Sequence, residues 1–132
     1  MKKPFFAAVF LVFFALGGYS QSTAGLSITV EVNDGRVTIV KCRGFVKEVE
    51  IPAEINGMPV TAIADYAFAK LDLTSVAIPD SVTTIGKGAF AENQLEELVL
   101  GDNITSLGIG AFAFNKLTRV TIGSGITVIP RG

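Results

Sequence analysis

The chain has 132 residues, enough for one domain. About half are apolar, which excludes a disordered polypeptide, and the formal net charge is only −1. It holds no histidine and a single cysteine, which excludes a Ser-His-Asp triad, a Cys-His pair, a histidine-based zinc site and a cysteine-cluster metal site; no catalytic residue, metal or cofactor is expected.

Lys2 and Lys3 open the chain, and Phe5 to Leu16 is an unbroken apolar run of 12 residues. Small and polar residues follow at Gly17, Gly18, Ser20, Ser22, Ala24 and Gly25. This is the layout of a secretory signal peptide. A membrane anchor competes with that reading, but the run falls short of the ~20 residues that span a bilayer. Residues 1–20 are therefore expected to be cut away after Ser20, with Ala24 as the second choice. Without Lys2 and Lys3 the 11 basic residues fall to 9 against 12 acidic ones, a net charge of −3. That balance gives no electrostatic reason to bind nucleic acid or an anionic membrane. The expected location is secreted, periplasmic or cell-surface, with no membrane insertion of the mature chain.

Downstream, Leu26 to Val32 and Arg36 to Cys42 flank Asn33-Asp34-Gly35. An Asp-Gly pair between two alternating runs predicts a β-hairpin, which would cap the N-terminal end over residues 26–45. Cys42 follows the alternation of Val37 to Lys41 and is expected to be a small buried apolar residue, since a lone cysteine forms no internal disulfide.

From residue 46 the chain repeats itself. Ala-Phe recurs at 67–68, 89–90 and 111–112, a step of 22 residues. Leu73, Leu95 and Leu117 keep the same step, as do Val76, Leu98 and Val120, and Ile63, Ile85, Leu107 and Ile129. Segments 85–106 and 107–128 agree at 10 of 22 positions. In each unit a pattern such as Leu95-x-x-Leu98-x-Leu100 marks a strand with one buried face. A second short extended piece follows at Ile104 to Leu107, and Ala111, Phe112 and Ala113 are expected to begin a short helical turn. One unit cannot bury its own leucines and phenylalanine, whereas stacked units can. In the first unit the step from Ile51 to Ile78 is 27 residues, and the five extra residues centre on the turn pair Asn56-Gly57. The sequence stops at Pro130-Arg131-Gly132, part-way into a further unit. Apolar Ile126, Val128 and Ile129 are left at that end, where self-association is expected.

The segment Ile78-Pro79-Asp80-Ser81-Val82-Thr83-Thr84-Ile85-Gly86 with Ala89-Phe90 resembles the BspA-type leucine-rich repeat. Glu50-Ile51-Pro52 with Asn56-Gly57-Met58-Pro59-Val60 is similar to that family's entry segment. The resemblance implies a leucine-rich-repeat solenoid over residues 46–132, with α/β-type units dominated by short parallel strands. It also implies an extracellular recognition role, such as adhesion to host proteins or to other cells. Gly101 and Gly123 depart from the family pattern, which often has proline there.

Strand positions that face away from the core are free of packing duties. They fall in two columns, Glu48, Ser75, Glu97 and Arg119, and Glu50, Ala77, Val99 and Thr121. On a ladder of four strands they form the candidate binding face, suited to a protein or glycan surface, the host's included. The competing reading is a truncated or purely structural repeat product with no binding of its own. Gly86-Lys87-Gly88 and Gly108-Ile109-Gly110 do not complete a phosphate-loop fingerprint, and their glycines are expected to serve a tight turn.

Overall fold

The computed structural model describes residues 12–15, 18–23 and 26–131. Most of the expected leader lies outside them; within it, strands β1 (Val12–Ala15) and β2 (Gly18–Thr23) pair antiparallel. Strand β2 in turn pairs antiparallel with β3 (Leu26–Asn33), and β3 with β4 (Arg36–Gly44). The β3–β4 hairpin turns at Asp34 (φ 50°) and Gly35 (φ 71°). Two positive φ angles make the turn whose twist matches that of the flanking strands, and Asp-Gly tolerates them at low cost. Leu26, Ile28 and Val30 alternate inward along β3, and Val37, Ile39 and Cys42 along β4.

The hairpin does more than cover the stack. Strand β4 pairs in parallel with β7 (Met58–Ile63), with Val37 opposite Val60 and Ile39 opposite Ile63. Beyond β7 come β9 (Thr84–Ile85) and β11 (Ser106–Leu107), also parallel. The capping strand is thus the first rung of a continuous sheet ordered β1-β2-β3-β4-β7-β9-β11. The five-residue insertion is a second hairpin. Strand β6 (Glu54–Ile55) folds back on β7 about Asn56 (φ 52°) and Gly57 (φ 76°).

A second side of the solenoid carries β5 (Glu48–Glu50), β8 (Ser75–Ala77), β10 (Glu97–Leu100) and β12 (Arg119–Ile122). Strand β5 pairs in parallel with β8, and β10 with β12, in the register of the repeat. The expected ladder of four strands is therefore two pairs: among the described residues no bridge joins β8 to β10.

The expected helical turn does not form; there is no helix among the described residues. The reason is where the turn's amides go. Phe68 N–H donates to Ala89 O (2.7 Å), Phe90 N–H to Ala111 O (2.7 Å), and Lys70 N–H to Ala91 O (3.1 Å). A helix would direct these groups back along its own turn. Here they join consecutive coils, and only single-turn bonds such as Ala89 N–H to Gly86 O remain local. The chain reaches this shape through left-handed residues in two columns that recur once per repeat: Tyr66, Gly88 and Gly110, then Lys70, Glu92 and Phe114. The preceding glycine is needed for a different reason. A Cβ on Gly108 would collide with the backbone of Gly86 and Lys87 in the coil beneath.

Two columns fill the centre. The rings of Phe68 and Phe90 stack at 5.0 Å, and those of Phe90 and Phe112 at 5.2 Å, both nearly parallel. Cys42 takes the phenylalanine place in the first coil, since its N–H donates to Ala67 O just as Phe68 N–H donates to Ala89 O. Its thiol is buried, and burial pushes its pKa up to about 12. Beside the rings runs an asparagine column. Asn93 Oδ1 accepts from Leu71 N–H and Leu73 N–H, while Nδ2 donates to Phe68 O and Phe90 O. Asn115 repeats this one coil on, accepting from Leu95 N–H and donating to Phe90 O and Phe112 O. Each asparagine thus satisfies turn groups that face no strand partner.

Candidate functional site

In β5, β8 and β10 the inward residues are fixed by the core, with Val49 and Leu98 buried and Val76 half-buried, whereas in β12 the expected core residues Val120 and Ile122 are exposed. Period-two alternation then drives their neighbours outward. All eight candidate residues, Glu48, Glu50, Ser75, Ala77, Glu97, Val99, Arg119 and Thr121, are exposed. The register sets Glu48 beside Ser75 and Glu50 beside Ala77 in one pair of strands. In the other pair Glu97 lies beside Arg119 and Val99 beside Thr121. The Arg119 guanidinium donates to Glu97 Oε1 at 3.4 Å, an exposed contact that contributes little to stability. The two halves of the face are not joined by a strand bridge.

The border of the face is tied to the frame. Thr74 Oγ1 donates to Lys47 O and Thr118 Oγ1 to Glu96 O, each linking one coil to its neighbour. The face proper therefore carries side chains with no backbone role, in a mixture of acids, one base and small groups. Such a set can contact a broad surface; it encloses nothing.

The amides of the Gly86-Lys87-Gly88 loop, by contrast, are all engaged within the solenoid. Gly86 N–H donates to Ile63 O, Lys87 N–H to the Asp65 carboxylate at 2.7 Å, and Gly88 N–H to Ile109 O. In the next coil Gly108 N–H donates to Ile85 O and Gly110 N–H to Arg131 O.

A feature the strand pattern did not single out sits at the last coil. An apolar groove of about 240 Å³ is lined by Leu98, Leu107, Phe112, Leu117, Val120 and Ile122, with Ile129 and Pro130 at its rim. Of the three residues expected to be left at this end, Val128 and Ile129 are exposed, whereas Ile126 packs half-buried against the core; Phe114 is 81% exposed. The signal for the groove was available in the columns, since Leu98, Leu107, Phe112 and Leu117 hold core positions of the repeat, whereas Val128 and Phe114 stand in the outward columns of Ser106 and Glu92. Phe45, wholly exposed in the bend after β4, has no such column and no sequence signal.

Known proteins place this arrangement. The family model described as the BspA type leucine rich repeat region matches residues 41–132 in six copies. No curated protein matches. Among solved structures, the chain is similar to a leucine-rich-repeat protein of T. pallidum (19% identity, 70% of this chain and 67% of that one, TM-score 0.43). It is similar also to a leucine-rich cell surface protein of Faecalibacterium prausnitzii (21% identity, 89% of this chain and 44% of that one, TM-score 0.47). A third is the pneumococcal vaccine antigen PcpA (18% identity, 83% of this chain and 39% of that one, TM-score 0.48). This chain thus spans less than half the length of the last two. The family match starts at Lys41, inside β4, the first rung of the sheet, and runs through residue 132: the chain belongs to the BspA-type leucine-rich-repeat family.

Proposed function

We propose that the protein is a secreted or cell-surface, non-enzymatic binding module, and that it takes its partner on the outward columns of β5, β8, β10 and β12. The observation that carries this reading is the division of labour among polar side chains. Asp65, Asn93, Asn115 and Thr118 are held by backbone groups of neighbouring coils, while Glu48, Glu50, Ser75 and Thr121 make no such bonds. An open face of this kind suits a protein or glycan surface better than a small ligand, which prefers an enclosed pocket. At a rung spacing of ~4.8 Å, four rungs give a face only ~15–20 Å tall. Its contact area falls near the low end of the ~1,200–2,000 Å² of stable interfaces, so binding is of modest affinity. Adhesion to host proteins or to other cells fits this scale. Export rests on removal of residues 1–20, or of residues 1–24, which intact-mass measurement of the secreted protein checks directly.

A partner captured from extracellular material must slow deuterium exchange in β8, β10 and β12. Protection confined to the turns around Asp65 and Lys87 overturns the assignment of the face. The groove at the last coil supports a second interaction, self-association through Phe112, Val120 and Ile122, because exposed apolar surface of this kind drives chains together.

A further inference from the structure

The geometry points to the outer edge of β3 as a docking strand for a second copy of this chain, giving a two-fold dimer with one sheet running through both protomers. The inference rests on export: it applies once the leader, which contains half of β2 if cut after Ser20 and all of it if cut after Ala24, has been removed.

The edge is already seen to accept a strand. Strand β2 lies along it antiparallel over six residue pairs, from Gly18 opposite Glu31 to Thr23 opposite Leu26. Cleavage after Ala24 would remove all of β2; cleavage after Ser20 would leave only the remnant Gln21–Thr23, which frays as free termini do. The first cut uncovers an edge of eight residues, and the second uncovers Thr29–Asn33 directly and the rest as the remnant frays. Natural edges are blunted by proline, lysine or a bulge turned outward. Residues 26–33 contain no proline and no lysine or arginine, and Glu31 is their one charge. The register shift at Thr29/Val30 faces β4 rather than the open side.

The same chemistry, with the length of the overlap, favours one register. In a two-residue hairpin the closing pair, here Asn33 with Arg36, exchanges hydrogen bonds. Asn33 and Glu31 therefore direct their backbone groups to β4, and Val32, Val30, Ile28 and Leu26 direct theirs outward. Two antiparallel copies bond fully only when these even-numbered residues meet one another. Centring the axis on Thr29 sets Ile28 against Val30 and Leu26 against Val32 of the partner copy, about eight backbone bonds. It also sets Ser27 against Glu31, hydroxyl to carboxylate. Moving the axis to Glu31 brings two carboxylates together and halves the overlap. Leu26, Ile28 and Val30 keep their side chains in the core throughout, so docking requires no repacking.

Thr29 is exposed and would face Thr29 of the second copy in a non-hydrogen-bonded pair, where Cβ atoms approach within disulfide reach. The test uses the exported full-length product, with its intact mass read first. Thr29→Cys should cross-link to a dimer of twice the mass on mild oxidation. Glu31→Cys and the wild type, whose Cys42 is buried, should not. Thr29→Lys should lose the dimer in light scattering by setting two like charges face to face. A cleaved chain that stays monomeric, or that cross-links equally well through residues 29 and 31, overturns the dimer and leaves export standing. A chain that keeps Gly18–Thr23 and stays monomeric overturns both, since β2 then fills the edge permanently.

Discussion

Phe90 is the residue on which most of the stack converges. It is buried, with a ring above and a ring below, at 5.0 and 5.2 Å. Truncating such a phenylalanine costs about 3–5 kcal/mol, a large share of the ~5–15 kcal/mol that holds a domain together. Phe90→Ala should therefore lower the denaturation midpoint sharply, and more than Phe112→Ala, whose ring is only half-buried. A loss below about 1 kcal/mol at Phe90, the range of surface changes, contradicts the stacked core. Asn93 is the polar counterpart. Asn93→Ala orphans Leu73 N–H and Phe68 O in a buried setting, where each unsatisfied group costs about 1–3 kcal/mol. Asn93→Asp distinguishes the two halves of the amide, because it keeps the acceptor for Leu71 and Leu73 but loses the donor to Phe68 and Phe90. Both variants should destabilise, with the half-buried Asn115→Ala milder in the same urea series. Cys42 gives a pH signature. Its thiol titrates at about 12 in the folded chain against 9.0 ordinarily, because burial disfavours the thiolate. Above pH 9 the unfolded chain loses this proton while the folded chain keeps it, so this group's contribution to stability falls as pH rises from 9 towards 12. Cys42→Ala should flatten that part of the stability curve, and native Cys42 should resist alkylation that the unfolded chain undergoes readily.

At the scale of elements, the strands and the two hairpins were legible in the sequence because their signals are local. Asp34-Gly35 and Asn56-Gly57 supply the positive φ angles that close β3–β4 and β6–β7. Leu98 and Leu100 alternate at the period of a strand, and both are buried, as is Leu95 just before it. The turn at Ala111-Phe112-Ala113 was misjudged because alanine favours a helix in isolation. What overrides that preference is the coil on either side, which claims the turn's amides, and a residue's neighbours 21 or 22 positions away leave no local trace. The broken ladder between β8 and β10 was equally invisible, since the inward columns, Val76 to Leu98 and Ile78 to Leu100, stay aliphatic through it. Hydrogen exchange should reproduce this division. Amides bonded between coils, such as those of Phe68 and Phe90, should exchange slowly, and β12, exposed along its whole length, should exchange fastest of the strands in the repeat. Fast exchange at Phe68 and Phe90 with protection at Arg119–Ile122 contradicts the coil-to-coil bonding.

For the molecule as a whole, the 22-residue period dictates a solenoid, and the solenoid dictates an open face in place of a pocket. The positions of the face could be read from the strand alternation, because the core fixes which residues must point away from it. The chemistry of a partner could not, because Glu48, Ser75, Glu97 and Arg119 differ from rung to rung and share no geometry beyond their column. The ends were legible only in part. The Asp-Gly turn signals the hairpin of residues 26–45 but not that β4 also serves as the first rung. The central claim is that binding belongs to the strand columns. Exchanging the charges in Glu97→Arg with Arg119→Glu keeps the pair complementary and the fold intact, since both side chains are exposed and surface pairs contribute at most about 1 kcal/mol. Capture by this double variant should be compared with that by Lys87→Glu and by Lys116→Glu, which alter the turn side instead. The account predicts altered capture for the double variant alone, because charges at an interface govern approach and partner choice. Unchanged capture by it, with capture abolished by the lysine variants, would contradict the assignment and move the binding face to the Ala-Phe turns.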